Sequence, residues 1–160
     1  YMLLLNHLSF YKVLCMAMFT GEYFHQLDAK NRIRIPARLK KDLGEEYYFA
    51  YGTNHCIFVF TKERMQQYLE ELGATKISDL EAQKRVRMFA RTCVQVEEDN
   101  QGRIVLSPEF RRHAQLGKDD KDLVICGAVN RIEIWNRRIY EEYTADMETD
   151  YDKLFSQLGI

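Results

Sequence analysis

The stretch DAKNRIRIP, residues 28–36, starts with Asp28, sets Lys30, Arg32 and Arg34 close behind it, and stops at Pro36. Seventy-one residues later DNQGRIVLSP, residues 99–108, repeats the outline: Asp99, then Arg103 four places on, alternating residues, and Pro108. Asp28 to Asp99 and Arg32 to Arg103 are both separated by 71 residues, and Leu43-Gly44 meets Leu116-Gly117 at 73. Gly52, Ile57 and Phe60 meet Gly127, Ile132 and Trp135 at 75. The chain's two prolines fall at matching places. An ordered set of matches whose offset drifts by small insertions is the mark of a diverged duplication.

Each half reads alike. A strand alternates into the turn (GEYFHQL, 21–27; TCVQVEE, 92–98) and a second leaves it (RIRI, 32–35; RIVL, 103–106). Period two puts Ile33, Ile35, Ile104 and Leu106 on one face, and Arg32, Arg34, Arg103 and Val105 on the other. The proline then opens a short helix, with Ser107 as N-cap in the second half and Gly44 or Gly117 as the stop. A hairpin closes each unit: YYFAYGTNHCIFVF, 47–60, and LVICGAVNRIEIW, 123–135. Units of about 40 residues bury too little surface alone, so the two pack or interleave into one small barrel.

Between the halves, TKERMQQYLEELG is helical, with Met65, Leu69 and Leu72 on one face. SDLEAQKRVRMFART opens with a Ser78–Glu81 capping box and sets Ala82, Val86, Phe89 and Cys93 at helical spacing. From Asn136, an N-cap, the tail reads as one long helix: Tyr140, Tyr143, Met147, Tyr151, Leu154 and Leu158 recur at steps of three and four. This spacing expects core or subunit contact. The division expected is an extension 1–17, a first unit 18–61, a helical connector 62–91, a second unit 92–136 and a C-terminal helix 137–160. The class is α+β, mainly β with flanking helices.

Composition limits the function. Apolar residues make up 46% of 160, enough for a packed core. A formal charge of −1 argues against a uniformly basic coat, but the charge is segregated. Residues 28–41 hold Lys30, Arg32, Arg34, Arg38, Lys40 and Lys41 against Asp28; the tail from 137 holds Arg137, Arg138 and Lys153 against Glu141, Glu142, Asp146, Glu148, Asp150 and Asp152. A cationic working face fits inside a neutral total. Cys15, Cys56, Cys93 and Cys126 are scattered without a C-x-x-C and read as reduced core thiols. His7, His25, His55 and His113 are equally scattered, so no metal site and no cofactor is expected. The opening YMLLLNHLSFYKVLCMA has no basic leader, no A-x-A site and too short an apolar run to span a membrane. It reads as an extension before a natural start at Met18.

Asp28 and Asp99 are placed to accept backbone N–H groups two residues on, and Gly102 and Asn31 are the residue types that best tolerate a left-handed turn. Turn reinforcement, with Arg paired back to Asp, explains both aspartates. It leaves Lys30, Arg32 and Arg34 crowded without an anionic partner. A duplicated barrel with one Asp per half also describes aspartic proteases, but here the aspartates lead into AKN and NQG among cations that keep both ionised, which excludes that chemistry.

MFTGEYFHQLDAKNRIRIPARLK, DNQGRIVLSPEFRRHAQL and GAVNRIEIW together resemble the MraZ family of bacterial transcription regulators, over residues 18 to about 145. The resemblance implies two swapped-hairpin units of the AbrB type intertwined as a pseudo-dimer, assembled into rings. It implies binding to direct repeats of short G-containing boxes in double-stranded DNA, upstream of the division and cell-wall gene cluster. The expected setting is cytoplasmic and nucleoid-associated, with no membrane and no small-molecule substrate. Carried over by position, the motif residues are Asp28, Lys30 and Arg32, then Asp99 and Arg103; where the family usually has Gly in the first motif, this chain has Asn31. The expected DNA-binding set is Lys30, Arg32, Arg34 and Arg103, with Asp28, Asn31, Asp99 and Gly102 shaping the turns. The second turn, preceded by Glu97 and Glu98, reads as more architectural than the first. An AbrB-like oligomerisation or antitoxin-type module is the alternative.

Overall fold

A computed structural model describes residues 17–147 and 150–160. The expectations for the extension 1–17, including Cys15 and His7, lie almost wholly outside the described residues.

Eight strands form among the described residues: β1 (Glu22–Gln26), β2 (Arg32–Ile33), β3 (Tyr47–Tyr51), β4 (Ile57–Thr61), β5 (Val94–Gln95), β6 (Ile104–Val105), β7 (Asp122–Gly127) and β8 (Ile132–Asn136). Six described helices accompany them: α1 (Ala37–Leu43), α2 (Lys62–Gly73), α3 (Leu80–Ala90), α4 (Pro108–His113), α5 (Arg137–Thr144) and α6 (Tyr151–Leu158). The class is α+β, with a largely antiparallel sheet in the order β1-β7-β8-β4-β3-β5 and a two-stranded ribbon, β2-β6.

The two halves are interleaved. β1 of the first half pairs with β7 of the second, β5 of the second with β3 of the first, and β2 with β6. Only the hairpins β3–β4 and β7–β8 pair within a half. They join at β4–β8, where Ile57 faces Ile134, Phe58 faces Glu133 and Val59 faces Ile132. Since residues 57–60 correspond to 132–135, Phe58 opposite Glu133 marks a pseudo-two-fold axis. The ribbon has a second crossing, Ile33 opposite its counterpart Ile104. One core serves both halves: Ile33, Ile35, Ile104 and Leu106 pack with Phe49, Ile57, Val59, Leu123, Ile125, Ile132 and Ile134.

Buried polar groups on the central strands are paired. Glu133 receives Arg131 Nε at 2.9 Å and Trp135 Nε1 at 2.9 Å, which offsets the cost of burying its charge. Asn136 Oδ1 accepts the Arg138 N–H at 3.0 Å and so caps α5, while its Nδ2 donates to the Gln115 carbonyl and to Asp120, both at 2.8 Å. Cys56 and Cys126 are buried and Cys93 half-buried, all as free thiols. Burial pushes the Cys126 thiol up to about 12 and raises that of Cys56 as well, so both are inert core groups.

The strands leaving the two turns pair with one another across the pseudo-two-fold and not with the strands entering them, as swapped hairpins do. Two local expectations are corrected. The cap of α3 is Asp79, accepting the Ala82 N–H at 3.0 Å, and not Ser78. The tail is two helices rather than one, broken by a turn after Thr144, with Asp150 capping α6. The cause is local: Asp150 accepts the Lys153 N–H at 2.9 Å and so starts a new helix where an unbroken one would need it inside.

Candidate nucleic-acid interface

Each repeated turn is organised by its aspartate. Asp28 Oδ1 accepts the N–H groups of Lys30 at 2.8 Å and Arg32 at 2.9 Å, while Oδ2 accepts Arg32 Nε at 2.7 Å. The Asn31 N–H donates to the Asp28 carbonyl at 3.0 Å, and the Asp28 N–H to the Arg32 carbonyl at 3.1 Å. In the second turn Asp99 Oδ1 accepts Gln101 and Arg103 N–H groups, both at 2.9 Å, and Oδ2 accepts Arg103 Nε at 2.7 Å. The closing bonds, Gly102 N–H to Asp99 and Asp99 N–H to Arg103, are both 2.9 Å. The left-handed position is Asn31 at φ 56° in one turn and Gly102 at φ 72° in the other, so Asn holds the geometry that Gly holds in its twin.

These bonds fix the charges. Desolvation raises the Asp28 pKa, but the backbone and guanidinium bonds from Arg32 and the Lys30 N–H outweigh it, and the carboxyl sits below its ordinary value. For Asp99 the Arg103 N–H is the largest influence, and the carboxyl is held down to about 2. Both aspartates are therefore anions at neutral pH, each locked to an arginine.

The lock uses one edge of each arginine. Asp takes Nε–H, and the two terminal nitrogens of Arg32 and of Arg103 form no hydrogen bond to any described residue. A guanidinium oriented through Nε by a carboxylate presents its remaining donors in a fixed direction.

The ribbon then gathers these side chains. Ile33, Ile35, Ile104 and Leu106 are buried, whereas Arg34 is exposed, Arg32 and Arg103 half-buried, and Val105 is 64% exposed. Arg32 lies opposite Val105. Continuing that register by one residue sets Arg34 opposite Arg103, so three arginines and one valine form the outward face around the Ile33–Ile104 crossing. The Leu106 N–H donates to the Asn31 carbonyl at 2.9 Å, which ties the first turn to the start of α4. Lys30 and Arg34 form no side-chain ion pair with the described residues.

The surroundings of the two turns differ. Beside the second turn, Glu98 accepts the Tyr47 hydroxyl and pairs with Lys40 at 3.1 Å, and Lys40 lies 4.5 Å over the Tyr47 ring. A groove of about 920 Å³ runs there, floored by Phe49, Tyr51 and Phe110 and edged by Glu97, Glu98, Asp99 and Glu109. Arg91 and Arg103 share that rim with the four carboxylates, so its charge is mixed, whereas the first turn carries Lys30, Arg32 and Arg34 against Asp28 alone. Arg103's place beside Arg34 was not legible in the order of residues, because it depends on a strand pairing across the halves.

No described helix is long and apolar enough to cross a membrane, and no cluster of potential metal ligands occurs among the described residues. A family model for "MraZ protein, putative antitoxin-like" matches residues 18–87 and again 88–157. A transcriptional regulator MraZ of Carboxydothermus hydrogenoformans is 35% identical over 141 residues, covering 88% of this chain and 96% of its own length. Another from Desulfitobacterium hafniense strain Y51 is 38% identical over 134 residues, covering 84% and 92%. The relatives are regulators and not enzymes. Two tandem family matches and relatives of this identity, on a chain whose halves interleave through a repeated Asp–Arg turn, place it: the chain belongs to the MraZ family of transcriptional regulators.

Proposed function

We propose that this protein binds double-stranded DNA sequence-specifically through the first turn and the β2–β6 ribbon, as a homo-oligomeric ring on direct repeats in the promoter of the division and cell-wall gene cluster. The observation that carries the reading is the locked arginine. Asp28 takes Arg32 Nε and leaves the terminal nitrogens as a fork, the shape that meets guanine O6 and N7 in the major groove. Arg103 has the same lock and Arg34 lies opposite it on the same face as Arg32, while Lys30 supplies a point charge for phosphate. Asp28, Asn31, Asp99 and Gly102 act on DNA indirectly, by shaping the turns. The ribbon is only two paired residues per strand, too small to select a promoter alone. Several copies on successive repeats supply the missing affinity as avidity. A regulator of this kind works in the cytoplasm, on the nucleoid.

The test is fluorescence anisotropy on duplexes carrying one, two or three repeats from the native upstream region, with scrambled duplex as control. Affinity is expected to rise steeply with repeat number and to fall when half a helical turn separates the repeats. The log-affinity against log-salt slope is expected to approach about −0.9 per phosphate engaged. Equal, weak binding to native and scrambled duplexes overturns the reading and favours the antitoxin-type alternative.

A further inference from the structure

We infer that Val105 reads the 5-methyl group of a thymine next to the guanine that Arg32 contacts, and that this apolar contact gives the ribbon a direction along the DNA. This rests on the DNA-binding reading above and adds a second base to it.

The outward face of the ribbon is nearly symmetric. Arg32 and Arg103 are twins in the repeat, 71 places apart, and both carry the aspartate lock. The same offset makes Arg34 and Val105 twins. A strict two-fold would put four arginines around the Ile33–Ile104 crossing, where the chain has three and a valine. Direct repeats run one way along the duplex, whereas a face with two-fold symmetry reads the same in both directions. Val105 is the position on that face where the two halves differ.

The fold makes little use of this side chain. Val105 is 64% exposed and joins none of the core clusters formed by the described residues; the core side of its strand belongs to Ile104 and Leu106. It borders the groove beside the second turn together with Arg103. Valine suits a strand, and a single exposed valine needs no explanation by itself. Its neighbours are what matter. The bond from the Leu106 N–H to the Asn31 carbonyl makes residues 31 and 106 a hydrogen-bonded pair. Arg32 and Val105, one step on, therefore form the closer non-bonded pair, with Cα atoms about 4.5 Å apart. Successive bases along one strand are about 3.4 Å apart. That spacing sets Val105 against a base pair adjacent to the one Arg32 meets.

Thymine is the base whose major-groove edge carries a methyl group, and apolar side chains contact it. The methyl stands out from the base edge, where a short branched side chain meets it while the longer arginine beside it reaches O6 and N7. Cytosine in its place offers an amino group and no methyl, so the same valine selects against it.

The test is fluorescence anisotropy on a two-repeat native duplex and on copies in which the thymines of the repeats are replaced, one at a time, by deoxyuridine, which lacks only the methyl group. At one thymine beside a guanine, the change is expected to weaken wild-type binding about fourfold per repeat engaged, the worth of one buried methyl-sized group. Val105→Ala is expected to bind the thymine and deoxyuridine duplexes alike, with unchanged circular dichroism. A purely structural role would weaken both and keep their ratio. Val105→Thr keeps the branched shape and strand preference, and is expected to narrow the same ratio, which covers a folding defect in the alanine variant. Wild type that prefers native to scrambled duplex but ignores the methyl overturns the inference and leaves the DNA-binding reading standing. Equal binding to native and scrambled duplexes overturns both. Variants that keep the full methyl dependence overturn it too, since the methyl then acts through another residue or through duplex shape.

Discussion

At the scale of single residues, the decisive unit is the pair Asp28–Arg32. Arg32→Ala removes a fork of donors but none of the backbone bonds to Asp28, so the fold is expected to persist. Specific DNA binding is expected to weaken by about 1–3 kcal/mol per engaged subunit, measured by anisotropy alongside unchanged circular dichroism. Arg32→Lys is expected not to restore it, because an ammonium cannot give two parallel bonds while held through a third. Asp99 makes a prediction about acid. Its folded carboxyl titrates at about 2 against an ordinary 3.8, so the folded state binds fewer protons. The stabilisation is complete above the ordinary value and is lost as pH falls through about 2. The Tm gap between wild type and Asp99→Ala is expected to be constant near neutrality and to narrow across that window; a gap indifferent to acid would assign the turn's stability elsewhere.

At the scale of elements, close approach matters more than propensity. The N-terminal segment bridges to the turn after β7 through Phe19 and Val129, whose backbone bonds are 2.8 and 2.9 Å. A Cβ on Gly127 would lie 2.3 Å from the Phe19 carbonyl carbon and 2.3 Å from the Thr20 nitrogen, and backbone cannot rotate away. Gly127→Ala is therefore expected to cost at least the ~1–3 kcal/mol of an overpacked core, read by urea denaturation. Gly127 matches Gly52 in the repeat, but the reason for it is a neighbour 107 residues away in the chain at Thr20. The caps Ser107 and Asn136 are legible in the sequence because their partners lie within three residues. Asp79 and Asp150 are not, because a neighbouring capping pattern and an unbroken helical spacing are equally local alternatives.

At the scale of the molecule, neither half owns a complete sheet. β1, β2 and β3 all have partners in the second half. Residues 18–91 expressed alone are expected to show no cooperative thermal transition as a monomer, and co-expression with 92–160 is expected to restore one. A monomeric 18–91 that melts cooperatively would mean that each unit is self-sufficient and the interleaving incidental. The same interleaving builds the candidate DNA surface, because Arg32 and Arg34 come from one half and Arg103 from the other.

The order of residues was enough to establish the duplication, the Asp–Arg turns, the in–out alternation of β2 and β6, and the family. The turns and the alternation are signals of local spacing, read by physics that acts over a few residues, whereas the duplication is read by matching residues 71 to 75 places apart. Spacing alone does not say which strand pairs with which; the interleaving was legible only as what the family resemblance implies. A strand leaving a turn satisfies its backbone equally well against the strand before it or its twin seventy residues on. The choice falls to the shared core, which closes only when Ile33 and Ile35 meet Ile104 and Leu106 beneath the hairpins of both halves. That closure brings the arginines of two separate motifs onto one face.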